Sequence, residues 1–313
     1  MAWSLASTCR SRRRRQQAAI AWRLPLLYND LVVAHVQFDI KRGWLQMPQC
    51  QAHYLVTGNG PNVVLLHGGA ADANDWAPTM HALYRYCRVY APDLIGYGLT
   101  DKPKASYSLE DFADFVETFM AGLQLGPAVI GGHSLGGRIA IEVARRSPYL
   151  VSKLVLIDTS GFCPVSAVGS ALLRGFEVTR QVLRRPQPHP RLEFDEADSK
   201  FQCLDKLEDI MVPTLIVWGR LDPYYPASCA EKAARLLPNA QLEIVPWTRH
   251  GPHKERPETV HPIMASFINP AASVILEGEA AAPGEQAKPS DAGQTPPGPP
   301  QGDGEETPGT ANG

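Results

Sequence analysis

Cysteine is sparse in this chain of 313 residues: six are scattered at positions 9, 50, 87, 163, 203 and 229. None forms a C-x-x-C pair or stands at zinc-site spacing from a histidine, so the pattern predicts buried thiols in a reducing compartment, against a disulfide framework or a zinc site. No apolar run approaches the ~20 residues needed to cross a bilayer, which excludes a spanning helix and leads us to expect a soluble protein. No repeat with a period of about 20 to 50 residues recurs, which argues against a solenoid or propeller. Charge of one sign is also lacking. The formal net charge is −2, and nothing in that balance calls for a nucleic-acid partner.

The two ends lack different things. Residues 1–29 contain no acid and six arginines (Arg10, Arg12, Arg13, Arg14, Arg15 and Arg23). Residues 277–313 carry seven acids against Lys288 and have almost no large apolar side chains. The opposed charges, +6 and −6, cancel and leave residues 30–276 with the whole −2. The acidic Pro/Gly-rich tail, from 271 onward, is expected to be disordered, because it has little to bury against the entropy of ordering. A twin-arginine signal is excluded because the apolar stretch 18–22 breaks at Arg23 and Pro25. The basic segment 1–43 is read as a solvated extension or an overlong gene start on a cytoplasmic protein, with a mitochondrial presequence as the alternative.

What is present has a rhythm. Short apolar, β-rich segments recur at 63–66, 89–91, 128–130, 154–157, 214–218 and 242–245, with helical patterns between them at 76–84, 109–123, 135–146, 229–237 and 258–268. This alternation predicts the α/β class: a mostly parallel central sheet with helices on both faces, spanning about 44–270. Residues 52–56 suggest an antiparallel edge strand. No strand pattern appears between Asp158 and Pro213, where Leu172, Phe176, Thr179, Val182 and Leu183 fall at helical spacing before Pro186, Pro188 and Pro190. An insertion at about 161–210 is expected to lie over the carboxyl ends of the strands as a short helical lid.

The hexapeptide Gly132-His133-Ser134-Leu135-Gly136-Gly137 lies between the strand at 128–130 and the helix at 135–146. A serine at a sharp strand-to-helix turn is presented to substrate, and glycines two residues before and after it relieve the crowding where strand and helix meet. An ordinary helix N-cap also explains a serine here, but not the flanking glycines.

With His67-Gly68-Gly69, the segment Asp93-Leu94-Ile95-Gly96-Tyr97-Gly98, the sequence Trp218-Gly219-Arg220-Leu221-Asp222, and His250 before Glu255-Arg256-Pro257, the chain resembles the α/β-hydrolase superfamily over about 44–270. The resemblance implies a serine hydrolase with Ser134 as nucleophile, His250 as base and Asp222 as the acid that orients it, in the chain order usual for this fold. It also implies an oxyanion hole from the N–H groups of Leu135 and Gly69, with Ala70 as the alternative to Gly69. Asp158 is the alternative acid, and His253 competes with His250. His67 is expected to brace its loop and Asp93 to pin the following glycine turn. His53, His81, His189 and His261 are read as packing or surface residues.

The expected reaction is two-step acyl transfer on a small or medium carboxylic ester, without cofactor or metal, and Leu172, Leu173 and Phe176 are expected to supply an apolar pocket wall. Hydrolases of ring-cleavage products, which break carbon–carbon bonds, are the nearest alternative. They commonly carry Asn before the serine and Trp after the histidine, where this chain has His133 and Gly251. Epoxide hydrolases and haloalkane dehalogenases, with an aspartate nucleophile, fit less well. Because Arg249 replaces a glycine usual before the histidine, a non-catalytic binding protein on the same fold stays open.

Overall fold

The computed structural model describes residues 40–104, 107–185, 190, 192 and 202–272. The basic residues 1–39, the tail from 273 and His189 lie outside the described residues, together with the expectations placed on them. Eight strands form one sheet: β1 (Lys41–Gln46), β2 (Gln51–Thr57), β3 (Asn62–Leu66), β4 (Arg88–Pro92), β5 (Ala128–His133), β6 (Val151–Ile157), β7 (Thr214–Gly219) and β8 (Ala240–Val245). Their order is β1-β2-β4-β3-β5-β6-β7-β8. β1 and β2 run antiparallel to each other, as do β2 and β4, and the remaining pairs are parallel.

The parallel strands read as unbroken apolar runs because both faces are covered. Val64, Leu66, Ile130, Leu154, Leu156, Ile216 and Trp218 enter one core, while Val63, Leu65, Val129, Val155, Ile157, Leu215 and Val217 enter the other. Helices α2 (Leu109–Gly122), α3 (Leu135–Arg146) and α5 (Ala227–Leu236) cover the first face. Helices α1 (Ala77–Leu83) and α7 (Pro257–Ile268) cover the second. Helix α4 (Ala167–Val182) stands where the lid is expected, and the one-turn helix α6 (Pro252–Glu255) precedes α7.

Two features differ from the expectation. β1 begins at Lys41, inside the stretch read as extension; its burial pattern is that of an exposed edge strand, so it has no apolar run to reveal it. Cys163 and Cys229 form a disulfide across 66 residues of sequence, where buried thiols are expected; it joins the chain leaving β6 to helix α5. Cys50, Cys87 and Cys203 are free and buried, and Cys9 lies outside the described residues. On α3, two charged side chains are enclosed. Arg138 and Glu142 are buried and paired at 3.1 Å, and Arg145 also donates to Glu142.

Asp93, after β4, organises the loops beneath the site. Its Oδ1 accepts from Ala73 N (2.7 Å), and its Oδ2 accepts from Leu99 N (2.7 Å) and meets His53 Nδ1 at 2.8 Å. The glycine turn is pinned as expected, with His53 as a buried partner. Asp93→Ala strands these donors, and a loss of about 3 kcal/mol in unfolding free energy is expected by urea denaturation. An unchanged midpoint would show that the loops hold without it.

Candidate active site

Ser134, Asp222 and His250 follow β5, β7 and β8, so the fold delivers all three to the carboxyl edge of the parallel sheet. Ser134 has φ 51° and ψ −115°, a backbone region costly for a residue with a side chain. It is held there by Ser134 N donating to Ile157 O at 3.0 Å, and by Ser134 O accepting from Gly137 N, Arg138 N and Ser160 N at 3.1 to 3.2 Å. The glycines answer to close packing. A Cβ on Gly132 would lie 2.2 Å from the Gly136 carbonyl carbon, and one on Gly136 would lie 2.1 Å from Leu66 O.

His250 Nδ1 meets Asp222 Oδ2 at 2.8 Å, and the Asp222 side chain has no solvent exposure. Asp222 Oδ1 accepts from Tyr224 N (2.8 Å) and Tyr225 N (3.2 Å). With the carboxylate acting only as acceptor, the His250 Nδ1–H donates and Nε2 is left for other chemistry. The rings of Tyr224 and Tyr225 lie 4.9 and 5.7 Å from the His250 ring, fixing its plane from the other side.

A cavity of about 760 Å³ opens at this edge and is lined by both Ser134 and His250. Gly68, Gly69 and Ala70 form one wall, and Leu173, Leu192, Tyr224 and Tyr225 supply apolar surface. Leu135 opens helix α3, where a backbone N–H has no acceptor within the helix. A Cβ on Gly69 would be in ordinary contact with the Leu135 side chain at 3.6 Å, so these two neighbours face one another across the strand-to-helix turn at Ser134, the nucleophile elbow. His67 is buried, with Nδ1 on Gly68 O (2.8 Å) and Nε2 accepting from Leu94 N (3.1 Å), and it braces this loop as expected.

The alternatives separate on geometry. Asp158 is wholly buried, and its Oδ1 accepts from Gly219 N at 2.8 Å. Burial first, and then the neighbouring Asp222, hold its carboxyl well above the ordinary range. His253 is enclosed between the rings of Trp76 (4.8 Å) and His133 (4.9 Å), and burial keeps it neutral. Among the other histidines, His261 is buried against Thr79 and His81 is exposed. Of the three side chains expected in the pocket wall, Leu173 lines the cavity, whereas Leu172 and Phe176 face solvent at 49% and 59% exposure. Gly169, packed on the Tyr224 backbone, sets that rotation of α4.

Several contacts at the site have no counterpart in the sequence reading. His133 contacts the His250 ring at 4.9 Å and its carbonyl at 3.1 Å; burial first, and then the adjoining His253, hold it well below the ordinary histidine value. Lys254 bridges to Asp75 at 2.9 Å on the cavity wall. The Tyr-Tyr pair after Asp222 was the one available signal, since aromatics two and three residues past an acid can turn their N–H groups back on it. Ring nitrogens of His133 and His253 lie within 4.8 Å of an Asp75 oxygen, a grouping able to hold a cation. Lys254 already occupies that carboxylate and sets a positive charge beside it.

The sheet order, the elbow and the strand-end loops define the class. The chain belongs to the α/β-hydrolase fold family, whose model matches residues 61–183, and it is a hydrolase. It is 30% identical over 239 residues to the pimeloyl-[acyl-carrier protein] methyl ester esterase of Vibrio campbellii, covering 64% of this chain and 91% of that one. It is 26% identical over 259 residues to the 2-hydroxy-6-oxo-6-(2'-aminophenyl)hexa-2,4-dienoic acid hydrolase of Metapseudomonas resinovorans, covering 72% and 89%. Among solved structures it is similar to the carboxylesterase CesB of Bacillus subtilis, with a TM-score of 0.62, 25% identity, and coverage of 73% and 91%. No helix among the described residues is long and apolar enough to cross a membrane.

Proposed function

We propose that the protein is a serine hydrolase that cleaves a carboxylic ester of small or medium size through an acyl-enzyme. The observation that carries this reading is the 2.8 Å contact of His250 Nδ1 with the buried Asp222, on the wall of a cavity that Ser134 also lines. Ser134 Oγ attacks the ester carbonyl as its proton passes to His250 Nε2, and Asp222 stabilises the imidazolium that forms. The N–H groups of Leu135 and Gly69 receive the oxyanion; each such donor is worth about 2.7 to 4 kcal/mol at the transition state. As the tetrahedral intermediate collapses, His250 returns the proton to the departing alcohol. Water, deprotonated by the same imidazole, then attacks the acyl group, and Ser134 regains its proton as the acid leaves.

A second reading, hydrolysis of a carbon–carbon bond in a ring-cleavage product, draws on the Metapseudomonas relative. The ester reading draws on the Vibrio esterase and on His133 before the serine. A panel of short- and long-chain esters with one ring-cleavage dienone separates them: turnover of esters is expected, and turnover of the dienone alone would reverse the order. A fluorophosphonate probe is expected to label the folded protein, and Ser134→Ala is expected to abolish the labelling. Labelling that survives the substitution would remove Ser134 from the role.

A further inference from the structure

Helix α4 is amphipathic in the reverse sense. A surface helix ordinarily turns its apolar stripe to the core. Here Val168, Leu172, Phe176, Val178, Val182 and Leu183 occupy one continuous side of the helix and its end, and each is 49 to 75% exposed. Gly169 packs on the Tyr224 backbone and is the one buried residue of the helix, while Leu173 lines the cavity and is 48% exposed. A contiguous apolar strip left in water marks a surface that meets something else.

The chemistry around the strip narrows the partner. Residues 166–185 carry Arg174, Arg180, Arg184 and Arg185 against Glu177, a formal +3. Ser166 N donates to Tyr224 O at 2.8 Å, which ties α4 to the loop that carries Asp222. The same loop exposes Leu221 (52%), whose N–H donates to Thr248 O at 2.9 Å, and beside it Trp247 is 78% exposed. Trp247 sits at φ 60°, a conformation a bulky residue keeps only when the surrounding chain holds it there. Arg220 and Arg249 flank these two apolar side chains and are exposed.

A second copy of the chain would set like charges against each other across a two-fold axis. The tail 277–313 has the complementary charge but almost no large apolar side chains to bury the strip. Apolar side chains in a basic surround, with a tryptophan at the rim, match the headgroup boundary of an anionic bilayer. We infer that the exposed strip of α4, with Leu221 and Trp247 on the loops next to its tethered start, docks on an anionic phospholipid surface and that the acyl ester enters the cavity from that surface. The substrate half of this inference rests on the ester-hydrolase reading. The docking half does not.

The test is co-sedimentation of the full chain with vesicles of phosphatidylglycerol and phosphatidylcholine in equal parts, beside vesicles of phosphatidylcholine alone. Binding to the anionic vesicles is expected, and Val168→Glu/Val182→Glu is expected to weaken it at least about tenfold while hydrolysis of a short soluble ester continues. Ser134→Ala is expected to bind vesicles as the unmodified chain does. Docking without turnover of any ester would support the surface and remove the substrate half alone. Unchanged binding by the double variant would assign attachment to the arginines at 10–23 and overturn the proposal. A dimer dispersed by the double variant, with no vesicle binding, would overturn it in favour of a second copy.

Discussion

Asp222→Asn is expected to lower kcat/KM for an ester substrate by about 10⁴-fold, because the amide no longer fixes the His250 tautomer or stabilises its charge. Asp158→Asn is expected to leave it within about threefold, the ordinary range for a substitution that keeps shape away from the reacting atoms. The contrast follows from the environments. Asp222 accepts N–H groups from Tyr224, Tyr225 and His250, whereas Asp158 accepts from Gly219 N alone among the bonds described, and burial beside Asp222 raises its carboxyl well above the ordinary range. Stability gives a second readout with a definite sign. The folded state holds a proton on Asp158 that the unfolded chain releases above the ordinary carboxyl value of 3.8. Its contribution to stability therefore falls as pH rises from that value towards the raised folded one, by about 1.4 kcal/mol per pH unit. Asn has no such proton. Urea midpoints of Asp158→Asn should exceed those of the unmodified protein at pH 7, with the gap closing near pH 4. Loss of activity in Asp158→Asn alone would transfer the acid's role.

Gly136→Ala is expected to cost at least about 4 kcal/mol, the range of severe backbone clashes, and to lower Tm by about 10 °C or prevent soluble expression. The added Cβ meets Leu66 O at 2.1 Å, Leu66 C at 2.6 Å and His67 O at 2.7 Å. All three are backbone atoms at the end of β3, so relief requires the strand end and the Gly68–Gly69 loop to move together. Gly175→Ala is the control, since nothing lies within 4 Å of its Cβ position in the exposed α4. It should be stabilising by about 0.5 to 1 kcal/mol, the helix-propensity difference. Equal melting curves for the two variants would contradict the packing described at the elbow.

The parallel core was legible because strands buried on both faces announce themselves as apolar runs, and each of the six expected strands lies within an observed one. β1, with its exposed Lys-Arg-Gly-Trp-Leu-Gln sequence, carries no such mark. Spacing identified the apolar strip of α4 but not its direction. Leu172, Leu173 and Phe176 were expected to line the pocket; Leu173 does, and contact between Gly169 and Tyr224 turns the other two outward. The candidate nucleophile, base and acid could be picked out because each ends a strand with a recognisable neighbour sequence. His133 against His250, Lys254 on Asp75, and the Cys163–Cys229 bond arise only where the fold brings distant loops together.

The central claim is that Ser134 carries the acyl group. Mass spectrometry of the protein, acid-quenched during turnover of a p-nitrophenyl ester and digested, tests it most directly. An acyl adduct on the peptide containing Ser134, absent from Ser134→Ala and accumulating in Asp222→Asn if deacylation becomes slower than acylation, is the predicted result. An adduct on another residue, or undiminished turnover by Ser134→Ala, would contradict it.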